Sequence, residues 1–188
     1  MDKIALRSST LTIREAMSAG EVSTRSEKVF KQFTQSFSEK LLQTIQTIAI
    51  YYPIRNEVDT SAFFIHFKKL KKFVCYPRTE NGKMHFHKVA ESFELRTGGF
   101  GIAEPDPNAH EEISKPDLII VPGVCFSENG DRIGYGAGYY DTFLAQNRQI
   151  TTVGICYDFQ LKPAWDKKPH DHPMQMICTE SQFIIPKK

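Results

Sequence analysis

The amino-acid sequence predicts an α/β fold in which helices cover a largely parallel sheet. Helical and strand patterns alternate from residue 3 to residue 76, as they do in βαβ units. Residues 117–121 form a nearly continuous apolar run, which is typical of a central strand buried on both faces. The chain has 188 residues, 40% of them hydrophobic, and can bury a sizeable core. No repeat, low-complexity tract or linker divides it, so we expect one domain over residues 1–188.

The first two helices are predicted from charge, capping and spacing. Residues 3–17 form a charged helical pattern, which Gly20 is expected to break. Thr24 and Glu27 have the spacing of a capping box, so we expect the second helix to begin there. Its apolar residues recur every four positions and predict one buried stripe of Val29, Phe33, Phe37 and Leu41.

A strand, a helix and a hairpin are predicted next. Residues 45–52 have strand character, and Thr60 is placed to cap the helix that follows. Asn81-Gly82 is a turn signal between residues 73–78 and 84–89, which predicts an antiparallel hairpin.

The second half of the chain is predicted to be irregular before it returns to strands. Residues 97–101 and 104–107 are rich in glycine and proline and predict an irregular connection. The run 117–121 supplies a central strand, and residues 151–157 and 182–185 supply two more.

Charge and cysteine usage exclude some classes of protein. A net charge of +2 and a pI near 8.3 argue against a chain that neutralises many phosphates, so we do not expect a nucleic-acid partner. The basic run 68–72 has two interpretations, a solvated helix end or a patch for RNA. The widely spaced cysteines 75, 125, 156 and 178 are expected to be buried free thiols in a reducing compartment. The sequence contains no apolar run of membrane-spanning length, and we expect a cytoplasmic protein.

The run from residue 132 to residue 141, R-I-G-Y-G-A-G-Y-Y-D, carries the most chemistry in the chain. Its three alternate glycines let backbone N–H groups turn toward an anion, and the following helical pattern would add the positive end of its dipole. The run matches neither the Walker A loop nor the dinucleotide fingerprint. Arg132 suits phosphate charge, either tyrosine of the pair suits stacking on a planar ring, and Asp141 suits Mg²⁺. The simpler alternative is a tight strand-to-helix turn with two packing tyrosines.

Together with Pro122-Gly123, this run resembles the signature of the 5-formyltetrahydrofolate cyclo-ligase family, R-L-G-Y-G-x-G-Y-Y-D after a proline-glycine. Similar matches extend along nearly the whole chain. Residues 3–7 match K-x-x-L-R, 56–60 match N/D-E-V-D-T, 99–105 match F-G-I-x-E-P, 153–155 match V-G-I, 160–161 match Q-L and 170–180 match H-D-x-P-L-D-x-I-x-T-E.

The resemblance implies a three-layer α/β/α sandwich with a Rossmann-like, mostly parallel central sheet. It also implies ATP- and Mg²⁺-dependent conversion of 5-formyltetrahydrofolate to 5,10-methenyltetrahydrofolate, with ADP and phosphate as the other products. The family is understood to phosphorylate the formyl oxygen, after which the folate nitrogen at position 10 closes the ring and expels phosphate. Such a protein must chiefly align two ligands and spread the charge of the phosphoryl group.

The resemblance also assigns roles to residues. Arg132 and Tyr139 are expected to be catalytic, and Asp141 is expected to bind Mg²⁺. The residues expected to bind ATP are Lys3, Arg7, Arg132, Gly134, Tyr135, Gly136, Ala137, Gly138, Tyr139 and Tyr140. The residues expected to bind the folate are Tyr52, Glu57, Tyr135, Gly136, Ala137, Gly138 and Tyr139, with the carboxylate of Glu57 on the N–H donors of the pterin. Taken singly, Lys3 and Arg7 also fit a solvated helix face, and Glu57 also fits a helix cap.

Two positions depart from the family pattern. Ala137 stands where many members have glycine, which is tolerable only if its φ is negative. Gln175 stands where an aspartate helps to bind Mg²⁺, and an amide brings no negative charge. The alternative function is therefore a catalytically silent relative that binds folate, nucleotide or RNA.

Two histidine pairs complete the candidate residues. His85 with His87 and His170 with His172 have the spacing of some metal ligands, but no third ligand is suitably spaced for zinc. His170 and Asp171 have no assigned role. We expect a monomer or weak dimer with small-molecule substrates and no membrane partner.

Overall fold

The structure, a computed structural model, describes residues 2–91, 94–98, 101–165 and 172–187. The helices are α1 (Lys3–Glu15), α2 (Ala19–Ser36), α3 (Glu39–Thr44), α4 (Ser61–Lys69) and α5 (Tyr139–Gln146). The strands of the first half are β1 (Thr47–Ala49), β2 (Phe73–Glu80), β3 (Lys83–Val89), β4 (Arg96–Thr97) and β5 (Ala103–Glu104). Those of the second half are β6 (Glu112–Ile113), β7 (Leu118–Val121), β8 (Cys125–Ser127), β9 (Arg132–Ile133), β10 (Thr151–Ile155), β11 (Leu161–Lys162), β12 (Met176–Cys178) and β13 (Phe183–Ile184).

The main sheet runs in the order β13-β12-β10-β7-β1-β2-β3-β6. Its central strands, from β12 to β2, pair in parallel. Strands β13, β3 and β6 add antiparallel edges. The smaller sheets are β11-β8-β9 and β4-β5. The predicted α/β class with a mostly parallel central sheet is confirmed.

Hydrophobic clusters on both faces of this sheet create three layers. Along β7, Ile120 belongs to a cluster with Phe33 of α2 and Phe67 of α4. The adjacent Ile119 belongs to a second cluster, with Leu144 of α5. Successive strand residues point to opposite faces, so these two clusters lie on opposite sides of the sheet. Strand β7 is buried on both faces, as the apolar run at 117–121 predicts.

The strand order reverses between β1 and β7. From β1 the chain passes through α4 to β2, on one side, whereas from β7 it passes through α5 to β10, on the other. The loops that follow these two parallel neighbours therefore diverge. Open α/β sheets bind their ligands in the crevice that such a reversal leaves beyond the carboxyl ends of the strands.

The second helix begins earlier than its sequence pattern predicts. Ser18, not Thr24, is the N-cap of α2, and its side chain accepts a hydrogen bond from the backbone N–H of Glu21. The backbone N–H of Ser18 donates to the carboxylate of Glu21, so the capping box lies six residues before the predicted one. Gly20 lies inside the first turn rather than between two helices.

The predicted hairpin is confirmed, since β2 and β3 pair antiparallel across Asn81 and Gly82. Both turn residues have positive φ, 50° and 73°, as a type I′ turn requires. The predicted strand at 45–52 is present but shorter, as β1. Helix α4 follows Thr60 as predicted, although the Thr60 hydroxyl donates to the carbonyl of Tyr51 and makes no cap.

The predicted thiol state is also confirmed. The four cysteines are free and buried, and burial raises the pKa of each. Among the described residues, no helix combines the length and apolarity of a membrane span.

Asp117 joins the beginnings of the two strands that border the crevice, and its removal tests that link. One carboxylate oxygen accepts hydrogen bonds from the backbone N–H groups of Gln46 and Thr47, each at 2.8 Å, and from the Thr47 hydroxyl at 2.9 Å. We expect Asp117→Ala to lower the free energy of unfolding by about 1–2 kcal/mol, with a smaller loss for Asp117→Asn, which keeps an acceptor oxygen. Urea unfolding at pH 7 measures both.

The loss should also depend on pH. Burial opposes ionisation of Asp117, but the hydrogen bonds from Thr47 and Gln46 outweigh it and hold its pKa below the usual range. A depressed pKa stabilises the fold above the unfolded pKa of about 3.9, and this contribution disappears as the pH falls. The difference between wild type and Asp117→Asn should therefore shrink below about pH 4, and a constant difference would contradict this account.

Candidate active site

The crevice between β1 and β7 opens into a cavity of about 930 Å³. This volume lies within the range typical of small-molecule sites. The loop after β1 supplies one wall, Pro122-Gly123 after β7 supplies the floor, and residues 132–142 supply the opposite wall. The N-terminal half of α1 and the hairpin β2–β3 close the remaining sides through Lys3, Arg7, Pro77, Thr79 and Met84.

The glycine-rich loop between β9 and α5 has a backbone that only glycine adopts easily at two positions. Gly136 and Gly138 have φ values of 111° and 74°, and Gly138 is the N-cap of α5. Ala137, which lies between them, has a negative φ, so the departure from the family pattern is accommodated. Helix α5 begins at Tyr139 on the wall of the cavity. Because the first N–H groups of a helix lack intrahelical partners, this wall suits an anion.

Arg132 and Asp141 form an ion pair beside this helix terminus. The guanidinium donates to the carboxylate of Asp141 at 3.0 Å and to the Pro122 carbonyl at 3.3 Å. Its carbon lies 5.4 Å from the ring centre of Tyr140. Within the described part of the chain, Arg132 Nε has no hydrogen-bond partner. A positive group, a carboxylate and the N-terminal turn of a helix thus share one end of the cavity.

Glu57 lies on the wall that follows β1 and is 5% exposed. Its carboxylate accepts hydrogen bonds from the backbone N–H of Ile54 at 3.1 Å and from the Tyr135 hydroxyl at 3.3 Å. Burial raises the pKa of Glu57 to about 7, while the positive charge of Arg14 is the main opposing influence. At neutral pH this carboxyl is therefore close to its titration midpoint.

Arg7 connects α1 to the glycine-rich loop, since its Nε donates to the Gly134 carbonyl at 2.8 Å. Lys3 lies one helical turn earlier and lines the same cavity. The face of α1 that bears these two cations is thus turned toward the cavity, which favours the binding interpretation over a merely solvated face.

The cavity brings together every residue that the sequence predicts for ATP, folate and metal binding. From α1 to α5 these are Lys3, Arg7, Tyr52, Glu57, Arg132, Gly134, Tyr135, Gly136, Ala137, Gly138, Tyr139, Tyr140 and Asp141. Gln175 is not on the described wall of the cavity, and its side-chain amide donates to the Ile150 carbonyl at 3.3 Å.

The predicted histidine pairs lie elsewhere or outside the described residues. His85 bonds to Glu112 at 2.8 Å and His87 to the His110 carbonyl at 3.1 Å, both on the β3 edge of the sheet. His170 and Asp171 fall outside the described residues. Burial and the charges of Arg148 and Arg132 lower the pKa of His172, against the opposing effect of Asp141.

Arg14 and Arg55 were missed by the sequence analysis. Arg14 is fully buried near the end of α1 and donates to the Tyr135 hydroxyl, while Arg55 lies on the cavity wall. Arg14 follows Arg7 by seven residues, which is two helical turns, so the shared face was a readable signal. Arg55 gave no such signal, because it lies in a loop with a positive φ of 48°.

Comparison with known proteins gives a consistent result. A model of the "5-formyltetrahydrofolate cyclo-ligase family" matches residues 1–180. The 5-formyltetrahydrofolate cyclo-ligase of Mycoplasma pneumoniae is 34% identical over 172 residues, which are 88% of this chain and 94% of the relative. The protein of the same name from Mycoplasma genitalium is 28% identical and covers 94% of this chain and 97% of the relative.

Solved structures agree with the sequence relatives. The 5,10-methenyltetrahydrofolate synthetase of Aquifex aeolicus superposes with a TM-score of 0.84 at 31% identity, over 100% of this chain and 94% of that one. The 5,10-methenyltetrahydrofolate synthetase of Mycoplasma pneumoniae gives a TM-score of 0.75 at 30% identity, over 96% and 99% of the two chains.

The backbone of the glycine-rich loop provides a test of the site's construction. Apart from its chain neighbours, no atom of the described residues lies within 4 Å of a methyl group added to Gly136, so the expected effect of Gly136→Ala comes from its positive φ. We expect this substitution to lower the free energy of unfolding by about 1–2 kcal/mol. Ala137→Gly is the matched control and should change it by less than about 1 kcal/mol. Denaturant unfolding of both variants checks the prediction, which a larger effect at position 137 would contradict.

Proposed function

The chain belongs to the 5-formyltetrahydrofolate cyclo-ligase family and is an enzyme of that class, and we propose that it converts 5-formyltetrahydrofolate and ATP to 5,10-methenyltetrahydrofolate, ADP and phosphate in the cavity between β1 and β7. The observation that carries this proposal is the meeting of a cationic, glycine-rich wall with a buried carboxylate in a single cavity. One wall suits polyphosphate, and the other suits a heterocycle rich in N–H donors.

The proposed reaction has two steps. The formyl oxygen of the folate attacks the γ-phosphorus of ATP, the bond from that phosphorus to the bridging oxygen breaks, and ADP leaves. The folate nitrogen at position 10 then attacks the activated formyl carbon, loses its proton, and the carbon–oxygen bond breaks to release phosphate. The first step turns a poor leaving group, the formyl oxygen, into a good one, phosphate, which the second step expels.

Arg132 and the amino end of α5 carry the electrostatic part of this reaction. Phosphoryl transfer spreads negative charge over the equatorial oxygens of the moving group, and fixed positive groups stabilise it without reorganising. The guanidinium of Arg132 is fixed by the Pro122 carbonyl and by Asp141. Lys3 and Arg7 add cations on the wall formed by α1, where the remaining phosphates would lie.

The donors at this end of the cavity also fit Mg²⁺. Proteins usually hold this ion through one or two carboxylates together with substrate phosphates, and Asp141 is a partly exposed carboxylate on the cavity wall. When bound, the ion neutralises phosphate charge. Asp141 also accepts a hydrogen bond from Arg132 at 3.0 Å, so each of these two side chains restricts the orientation of the other.

Glu57 and Tyr52 recognise the pterin on the opposite wall. The 2-amino group and ring N–H of a pterin are adjacent donors, which a carboxylate can accept in pairs. The backbone N–H of Ile54 donates to Oε2 of Glu57, and this hydrogen bond fixes the carboxylate at the edge of the cavity. Tyr52 is 45% exposed and offers an aromatic face at the cavity mouth.

An absorbance assay tests the proposed reaction. The wild-type protein should generate the methenyl chromophore when it is mixed with 5-formyltetrahydrofolate, ATP and Mg²⁺, and omission of ATP should abolish the signal. Arg132→Ala and Asp141→Ala should each lower kcat by about 100-fold or more, because they remove groups that act on the transferred phosphoryl. Arg25→Ala, which breaks an ion pair with Glu180 outside the cavity, is the control and should be active. A wild-type protein without ATP-dependent turnover would rule the proposal out.

Substitution of Glu57 should separate the two substrates. Glu57→Gln replaces a charged acceptor by a neutral amide, so KM for the folate should rise about 10-fold or more while KM for ATP changes little. Glu112→Gln removes an exposed carboxylate that pairs with His85 and should leave both constants unchanged. Equal increases in the two KM values would show that Glu57 maintains the structure of the whole site rather than recognising the pterin.

A further inference from the structure

Arg14 makes an unusual set of contacts for a charged residue. Its exposed fraction is 0%, and it is among the largest fully buried side chains of the described chain. Burying a guanidinium is costly unless its donors are satisfied. The donors of Arg14 go to Arg55, Gly123 and Tyr135, that is, to three different loops around the cavity.

The three partners belong to the segments that form the walls of the site. Nε donates to the Arg55 carbonyl at 3.0 Å, in the loop after β1 that carries Glu57. One terminal nitrogen donates to the Gly123 carbonyl at 3.0 Å, directly after β7. The other donates to the hydroxyl of Tyr135, in the glycine-rich loop. A planar guanidinium can serve three acceptors in fixed directions, so it sets their relative positions.

The Tyr135 hydroxyl extends this connection to Glu57. It accepts from Arg14 and donates to Glu57 at 3.3 Å, so it lies between the cation and the carboxylate. The Arg14 guanidinium also lies 5.6 Å from the Tyr135 ring centre, and that of Arg55 lies 5.5 Å from it. Tyr135, on the glycine-rich wall, is therefore hydrogen-bonded to the carboxylate of Glu57, on the wall after β1.

We propose that Arg14 is a positioning residue for the folate substrate, which acts through the Tyr135 hydroxyl to hold the Glu57 carboxylate in its binding orientation. The proposal deepens the proposed function, because it rests on recognition of the pterin by Glu57. Arg14 itself is not on the described wall of the cavity, so it acts through these partners rather than by contact with a ligand.

Several titratable groups face Glu57. Among them, the positive charge of Arg14 does most to offset the rise in the Glu57 pKa that burial causes. The charges that act on it are those of Arg14 from α1 and Arg132 from β9, and the Tyr135 hydroxyl bonds to it. Tyr51, in the loop after β1, and Tyr140, in α5, interact with the same carboxylate. Both of these tyrosines have a raised pKa and remain neutral at the pH values of interest. Removal of Arg14 should therefore raise the pKa of Glu57.

A carboxyl titration tests this chain of contacts without any substrate. The protein is labelled with glutamate carrying carbon-13 in the side-chain carboxyl, and the Glu57 resonance is assigned by its loss in Glu57→Gln. Its midpoint, near pH 7 in the wild type, should rise by about one pH unit in Arg14→Met. It should rise less in Arg14→Lys, which keeps the charge but not the planar fork. An unchanged midpoint in Arg14→Met would overturn the proposal.

Two further variants separate positioning from loss of structure. Thr10→Val alters a residue that is buried on α1 one turn before Arg14 and bonds to Cys125 rather than to the site. It should leave the Glu57 midpoint unchanged. Tyr135→Phe keeps the ring and removes the hydroxyl that joins Arg14 to Glu57, so it should also raise the Glu57 midpoint. This variant keeps the proposal testable if Arg14→Met does not fold. Failure of Tyr135→Phe to move the midpoint would equally overturn the proposal.

Equilibrium binding then measures the consequence for the ligand. Calorimetry with 5-formyltetrahydrofolate should give a Kd about 10-fold higher for Arg14→Met than for wild type. The Kd for ATP should change much less. The effect of Arg14→Met should be smaller in a Tyr135→Phe background, because the shared hydroxyl is already absent. Additive losses would show that Arg14 acts independently of Tyr135 and would contradict the proposal. If the wild type binds no folate, the proposed function fails, whereas the titration still decides whether Arg14 holds Glu57.

Discussion

The parallel pairing of β1 with β7, buried on both faces, is the constraint on which the site depends. Ile48 pairs with Leu118 and Ala49 with Ile119, and none of these residues reaches solvent. Their helices leave in opposite directions, so the loops beyond Ala49 and Val121 must separate. Polar groups can lie beyond the carboxyl ends of β1 and β7 because the paired strands beneath them are already buried and held in register. The chemistry of the site thus follows from an apolar contact that contains no reactive group.

Local structure is predictable from the sequence where one local signal determines it. The Asn81-Gly82 turn and the apolar run at 117–121 were predicted correctly, because turn chemistry and two-sided burial are read directly from residue types. The start of α2 was predicted wrongly, since Ser18 with Glu21 and Thr24 with Glu27 have the same capping spacing. The spacing alone does not decide between them, and in the structure the side chains of Ser18 and Glu21 make the cap.

The candidate site divides in the same way. Its glycines, Arg132 and Asp141 lie within ten consecutive residues, so the sequence alone reveals them as a unit. Arg14 lies 121 residues from Tyr135, and its position at the site depends on how α1 docks against β8. Strand order and helix docking are long-range properties, and no single local pattern in the sequence encodes them. The spacing of Arg14 from Arg7 indicates a shared helix face, but the burial of Arg14 and its contacts with three loops could not be predicted from that spacing.

Under the proposed function, the hydrogen bonds of Arg14 and Tyr135 would let one cavity serve both a nucleotide and a pterin. On that proposal the wall of residues 132–142 binds phosphates through positive charge, whereas the wall after β1 binds the pterin through the Glu57 carboxylate. Burial favours the protonated form of this carboxyl. A cation on the surface would be screened by solvent and would compete for the phosphates. A cation buried behind Tyr135 does neither, because its donors are occupied by protein groups while its charge still acts on Glu57. Arg14 therefore favours the charged form of Glu57 in a cavity whose opposite wall is cationic.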